Sequence, residues 1–410
     1  MVQTVLCRTN YCFWSSRYLA AILVAGVVLA SGPTRVFALG SRIPNQDAEA
    51  IGRGNAFAAT ADNPSALYYN PAGITQLEGQ NIQIGSLFYL DIDADYVSPS
   101  GQKFQNRRSV IPVPQLDYVY TLQSLPLSLG LGVYAPFGLK MQWPHDAPFR
   151  NAGLEAKLTY TTINPVLAWK PFESLSIAAG PTFNYSEAEL LQGILVSPLQ
   201  LHFKGHDWAY GMNAGILWQP HPMWSFGAKY FSPTTMDYHG TASFNPNLPI
   251  LPPPTSTTTH LDFPQMIVGG VSFRPTTNWN FEVDVDWTDW DRVKNAVIDG
   301  IGTLPLNWES SFFYEFGVTR QLGSGYYLSA GYFFSEASTP ERYYTPLVPD
   351  SNLHVGSLGI GRHGRNWNWA LAGQIIGGAY RSVADAIDPS VNGRYRLFTP
   401  TVSFSVGYHF

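Results

Sequence analysis

The chain has 410 residues, of which 14% are aromatic and only 13% charged, with a formal net charge of −5 and no basic tract. Charge at about half the ~25% usual in soluble domains means exposed apolar surface or near-complete burial, and the mild negative balance argues against a nucleic-acid partner. No linker divides the chain after its first hundred residues, so one large unit is expected.

The first forty residues read as an export signal. Arg8 and Arg17 supply positive charge, YLAAILVAGVVLA (18–30) is an apolar run too short to span a bilayer, and Val36-Phe37-Ala38 offers small residues for cleavage after Ala38. Both cysteines, Cys7 and Cys12, lie in this stretch (1–38), so no disulfide, thiol nucleophile or cysteine-based metal site is expected in the exported chain. No other stretch approaches 18 consecutive apolar residues, so a membrane location requires a closed barrel.

Residues 39–80 do not alternate and are dense in Ala, Gly and Asn. Short helices are expected around 47–52 and 64–69, the second capped by Asn63. Some forty residues are too few for a core of their own, so this segment must pack on the rest of the chain.

From 81 to 410 the chain alternates apolar and polar residues in stretches such as NIQIGSLFYL (81–90), QLDYVYTL (115–122), KLTYTTINPVLAW (157–169), NFEVDVDWTDW (280–290) and TVSFSVGYHF (401–410). In the last of these, Val402, Phe404, Val406, Tyr408 and Phe410 share one face. About fourteen such stretches are found, each long enough to cross a bilayer as a tilted strand. Their connections are alternately short (123–126, 170–174, 219–223, 274–278, 323–325, 362–366) and long (91–114, 135–156, 187–207, 245–262, 291–310, 335–353, 380–399). A soluble sandwich has no reason for that asymmetry. An outer-membrane barrel has short periplasmic turns and long external loops, and an even strand count leaves both ends on the short-turn side. Tyr118, Trp169, Trp208, Trp218, Trp224, Trp279, Trp287, Trp290, Trp367 and Trp369 suit two interfacial girdles. Asp117, Asp284, Asp286 and Glu315 would face a wet lumen, whereas a dry sandwich core would make each costly unless paired.

The segment IPNQDAEAIGRGNAFAATADNPSALYYNPAGIT, with its Asn70-Pro71-Ala72 triplet, resembles the FadL-type family of outer-membrane transporters for long-chain fatty acids and other hydrophobic compounds. So do LGLGVYAPFGL (129–139), DWAYGMNAGILWQP (207–220), VDWTDWDRV (285–293) and the terminal GYHF. The resemblance covers essentially the whole exported chain. It implies an all-β, fourteen-stranded transmembrane antiparallel barrel (81–410) in the Gram-negative outer membrane, its lumen plugged by the N-terminal segment (39–80) as a hatch. It also implies a third strand kinked inward near Pro136 and Gly138, a gap in the wall there, and the hatch triplet Asn70, Pro71 and Ala72 beside that gap. On the residues alone, the alternative is that Pro136 and Gly138 begin an external loop.

The expected activity is diffusive uptake of a hydrophobic ligand, a fatty acid or a hydrocarbon or aromatic, captured at the external loops and released sideways, with no catalytic residues, metal or cofactor. Candidate ligand contacts are Phe137, Leu139, Met141, Trp143 and Phe149 in one long connection and Leu190, Leu191, Ile194 and Leu195 in another, where 190–201 reads as a short amphipathic segment. Either set could instead pack loop on loop. Where the family meets a carboxylate with basic side chains, rough alignment finds Gln192 and Glu309, which leaves neutral hydrocarbons open. Further expected partners are outer-membrane lipid and, through Phe410, the barrel-assembly machinery; the chain is expected to be a monomer. A rim hydrolase and an open porin are the alternatives, but no serine and histidine are placed together and a plug would block a porin. Gly359-Ile360-Gly361-Arg362-His363-Gly364 matches G-x-G-x-x-G without a following helix, and His202, His206 and Asp207 are read as polar loop residues.

Overall fold

Alternation becomes structure when successive side chains go to opposite faces of an extended chain and both faces find a matching environment. A computed structural model describes residues 40–90, 92–194, 198–247, 249, 251–299 and 302–410. The expected export signal (1–38) and Leu195 lie outside these residues. Among the described residues no helix is long and apolar enough to cross a membrane.

Fourteen strands form the wall: β1 Gln80–Tyr89, β2 Ile111–Thr121, β3 Leu127–Tyr134, β4 Glu155–Phe172, β5 Leu175–Gly193, β6 Gln200–His221, β7 (Trp224–Phe231 and Thr234–Asn245), β8 (Thr255–Phe263 and Met266–Thr276), β9 Trp279–Thr288, β10 Ser311–Gly323, β11 Tyr326–Ser335, β12 Leu353–His363, β13 Trp367–Gly377 and β14 Gly393–His409. The pieces of β7 and β8 are collinear and separated at Ser232-Pro233 and Pro264-Gln265, where proline cannot donate to the ladder. Each strand pairs antiparallel with the next, and β1 pairs with β14 from Asn81↔His409 to Tyr89↔Thr401, so the sheet closes on itself. Closure removes the free edges that hydrocarbon could not satisfy.

The wall changes polarity along its height. Toward the short turns Leu167, Ile177, Ile216, Trp218 and Phe226 are exposed outside, while Ser176, Thr182, Asn213, Ser225 and Ser272 are buried inside. Toward the loops the faces exchange character. Leu158, Tyr160, Phe203, Tyr238 and Phe263 are buried in one inner cluster, and Lys157, Lys204, His206 and His239 point outward. Because the period of two continues through this exchange, β5 and β6 run to 19 and 22 residues, well beyond the roughly 10 that cross a bilayer. The expected loop 187–207 is therefore mostly strand, only 194–199 lying between β5 and β6. Of the expected amphipathic segment 190–201, residues 190–193 and 200–201 are strand, and His202 and His206 are strand residues, not loop residues.

Residues 40–79 lie against the inward face of the wall. Helix α1 (Ala48–Gly52) is capped by Asp47, whose carboxylate accepts from Glu49 N (3.1 Å) and Ala50 N (3.4 Å). Helix α2 (Ala66–Tyr69) begins after Ser65; Asn63, expected to be the cap, instead closes a turn by accepting from Ser65 N at 2.9 Å. The segment approaches so closely that inward wall positions are glycine: a Cβ at Gly227 would run into the carbonyl of Ala58, and one at Gly317 into that of Arg53. Trp290, expected in a girdle, is buried over the bore against Phe137 and Trp308, because the chain leaves β9 at Thr288 and folds inward.

Replacing Gly227 by valine is expected to displace residues 56–60 while leaving the closed wall intact. The protein should remain a heat-modifiable barrel on gels, yet show faster proteolysis within 40–79 and larger currents in planar bilayers; unchanged proteolysis would contradict this packing.

Candidate functional site

Strand β9 places Glu282, Asp284 and Asp286 at alternate positions, so all three carboxylates point inward, and each grips a different part of the N-terminal segment. Glu282 accepts from Ala59 N (2.7 Å), Thr60 N (3.1 Å) and Arg53 Nη2 (3.0 Å). Asp284 accepts from Phe57 N and Ala58 N, both at 2.8 Å. Asp286 pairs with Arg42, whose other terminal nitrogen donates to Thr288 Oγ1 at 2.7 Å. Asp284, Asp286 and Glu315, expected in a wet lumen, are like Glu282 at most 3% exposed because the segment covers them, and Asp117, expected there too, is 1% exposed. Charge-assisted bonds to backbone N–H groups are stronger than neutral ones and satisfy donors that water cannot reach.

Arg42 also leads to an interruption of the wall. β3 ends at Tyr134, and the chain bends inward through Ala135, Pro136 and Phe137 before residues 138–142 pair with β4 alone. Tyr134 faces Thr162 but Gly138 faces Thr159, so the bend carries one more residue than its partner. The bend is hydrogen-bonded to the segment instead of to β2: Ile43 N donates to Pro136 O, and Gly138 N to Ser41 O, both at 2.8 Å. The Gln46 amide donates to Ala135 O (2.9 Å) and accepts from Ala135 N (3.2 Å). Pairing of β2 with β3 stops at Leu116↔Val133, leaving a window bordered by residues 111–115 and 138–142. Arg107 N, donating to Gln142 O at 2.7 Å, closes its top.

Behind the window is a cavity of about 310 Å³, lined mainly by apolar side chains that include Ile43, Ile111, Val113, Phe137, Leu139, Met141, Leu158, Tyr160 and Phe333. Its mouth carries Lys140 and Lys157, directly opposite each other across the strand pair and without an ion pair among the described residues. Below it, Arg42 and Pro44 separate it from a compartment lined by Lys229, Asp284, Asp286 and Glu315. Lys229 Nζ lies 3.8 Å above the Tyr68 ring. Val348 and Pro349 of the connection between β11 and β12 form part of the roof. That connection is held by the Asp350 carboxylate, which accepts from Ser338 N and Thr339 N at 2.8 Å each. Burial pushes the Asp350 carboxyl up, against the pull of Arg381.

Pro136 and Gly138 thus sit at the bend, and Phe137, Leu139 and Met141 reach the cavity. Trp143 and Phe149 lie instead in an aromatic cluster with Tyr96, Tyr344 and Tyr395, the indole of Trp143 donating to Pro346 O at 2.8 Å. Leu190 packs on the inner cluster near the top of β5, Leu191 pairs opposite Glu155, and Ile194 N bonds to Leu199 O; these three are not among the cavity-lining residues. The physical reason is the length of β5, which carries Leu190 and Leu191 along the wall. Asn70 caps a 3-10 turn (Pro71–Gln76) by accepting from Ala72 N at 3.2 Å, and its amide donates to Ala58 O (2.7 Å) and Ile216 O of β6 (3.0 Å). Asn70, Pro71 and Ala72 therefore fasten the segment to β6, and Ser41 to Gln46 bond to the bend in their place. Sequence reading missed Arg42 and Arg53, although they are the only basic residues between 40 and 79 and the alternate carboxylates of EVDVD were visible.

Asp284→Ala would leave two buried N–H groups without an acceptor, at a cost of about 2–4 kcal/mol. The expected outcome is a lower unfolding temperature and faster cleavage within 40–79, with Asp284→Asn intermediate; equal stability of all three proteins would contradict the assigned grip.

The sequence matches the model of the family described as outer membrane protein transport protein (OMPP1/FadL/TodX) over residues 29–368. A long-chain fatty acid transport protein of Escherichia coli O6:H1 is 22% identical over 387 residues, covering 82% of this chain and 86% of that protein. A FadL homologue from Pseudomonas aeruginosa superposes with a TM-score of 0.78 at 17% identity, over 90% of this chain and 99% of the other. The Pseudomonas putida toluene transporter TodX superposes with a TM-score of 0.70 at 16% identity, over 92% of this chain and all of the other. With the family matched over most of its length and the fourteen-stranded fold shared, this chain belongs to the FadL/TodX family of transport proteins of the Gram-negative outer membrane.

Proposed function

We propose that the protein admits hydrophobic compounds from outside the cell to the cavity beneath its external loops and releases them sideways through the window between β2 and the bend. The observation that carries this reading is the continuity of apolar lining from Phe137 and Tyr160 inside the bore to Ile111 and Leu139 at the interrupted wall. Each methylene removed from water contributes about 0.8 kcal/mol, so capture needs no catalysis. The route straight down the bore crosses Arg42, Lys229, Asp286 and Glu315, where an apolar molecule would strip partners from buried charges. The sideways route never hydrates the ligand, and residues 40–79 act as the plug that closes the other path.

Leu139→Glu places a charge in the apolar lining, and uptake of a labelled hydrophobic substrate by cells carrying this variant should fall by about tenfold or more. Uptake equal to that of the unaltered protein would refute the cavity as the binding site.

Among ligand classes, one feature favours an anionic end group: Lys140 and Lys157 meet at the cavity mouth as a like-charged pair. A carboxylate between them would relieve that repulsion. Lys140→Ala/Lys157→Ala is expected to lower uptake of a long-chain fatty acid several-fold, consistent with a lost charge-assisted contact, and to leave uptake of toluene unchanged. An equal effect on both would assign the lysines no part in selection.

A further inference from the structure

The edge of β2 along the window reads Ile111-Pro112-Val113-Pro114-Gln115. In a strand, consecutive residues turn their backbone groups alternately to the two neighbours. Thr121 N donates toward β1, to Gly79 O at 2.8 Å, and Leu122 N donates toward β3, to Leu127 O at 2.9 Å. The register of β2 on β1 is unbroken from Tyr120↔Gln80 to Ile111↔Tyr89, so the alternation carries through. Odd positions serve β1, and even positions face β3 or, above Leu116, the window. The two even positions along that stretch, 112 and 114, are both proline.

From this we infer that Pro112 and Pro114 keep the wall from closing over the cavity, making the window a permanent aperture. If residues 135–137 straightened and continued the register Leu116↔Val133, Ala135 would meet Pro114 and Phe137 would meet Pro112. Both are positions that require donors, and proline has none, so the carbonyls of Ala135 and Phe137 would be stranded facing lipid. In the bent arrangement the Ala135 carbonyl accepts from the Gln46 amide at 2.9 Å. The same prolines leave the exposed edge of β2 with no N–H groups turned to the window, which also discourages pairing with another strand. Control of passage then falls to residues 41–46, which hold the bend, and not to the wall.

This inference rests on the sideways-release reading, and the test separates the two. In full-length Pro112→Val/Pro114→Val, hydrogen exchange reports the two new amides and a cell assay reports uptake of labelled toluene and of a labelled long-chain fatty acid. Protected amides at 112 and 114, with uptake of both compounds lost, are expected. Amides that exchange as freely as an open edge overturn the role of the prolines, whatever the uptake. Protected amides with undiminished uptake uphold that role and overturn sideways release. Should the double variant fail to reach the membrane, Pro114→Val alone is read by the same two measurements.

Discussion

Hydrocarbon offers no partner to a backbone N–H or C=O, and nearly every feature of this protein answers that constraint. The first and last strands close on each other because an open sheet would expose a row of such groups. Where the wall opens between β2 and the bend, each border is managed. β2 is relieved of donors by proline, the bend is bonded to Ser41, Ile43 and Gln46, and Arg107 ties off the top at Gln142. A gap in a membrane barrel is tolerable only where the groups it frees are removed or satisfied.

The second organising element is the strand EVDVDW. Its apolar residues Val283 and Val285 are exposed on the lipid face, and its three carboxylates face the bore, where each would be prohibitively placed without a partner. The N-terminal segment supplies the partners: two arginines and a succession of backbone N–H groups. The dependence is mutual, since forty residues with little core of their own keep one conformation only against this wall. Arg42 is where the two constraints meet, for the residue paired with Asp286 lies between the two backbone bonds that hold the bend.

The exchange of polarity along the wall explains why an apolar cavity coexists with a charged bore. In the lower half, lipid dictates apolar residues outside and the segment dictates polar ones inside. In the upper half, where β5 and β6 are longer than a bilayer crossing needs, the outer faces of β4 to β8 carry lysine and histidine, and their inner faces converge as an aromatic cluster. The cavity occupies that upper region above Arg42, with its interrupted side at the level of Leu139 and Val113. The apolar cavity therefore sits above the charged layer, and the window opens beside it.

By itself the sequence determined whatever depends on period and local chemistry. That includes the number of strands, the alternation of short and long connections, the outward faces of residues such as Val402 and Phe404 and the helix at Asp47, whereas at Pro136 the residues alone left a bend and a loop both open. These arise from side chains alternating across an extended backbone and from residues that forbid or favour particular dihedrals. Tertiary structure alone decided which residues meet. Nothing local tells that Arg42 finds Asp286, that Asn70 is fastened to β6 and not to the bend, that Trp290 folds inward, or that Trp143 and Phe149 join Tyr96, Tyr344 and Tyr395 outside the cavity lining. Leu190 and Leu191 fall outside that lining because the alternation there continues with its faces exchanged, and period alone does not say which face is wet. The prolines of β2 were legible as letters, but their meaning required knowing which neighbour each position faces, and that is a property of the closed sheet.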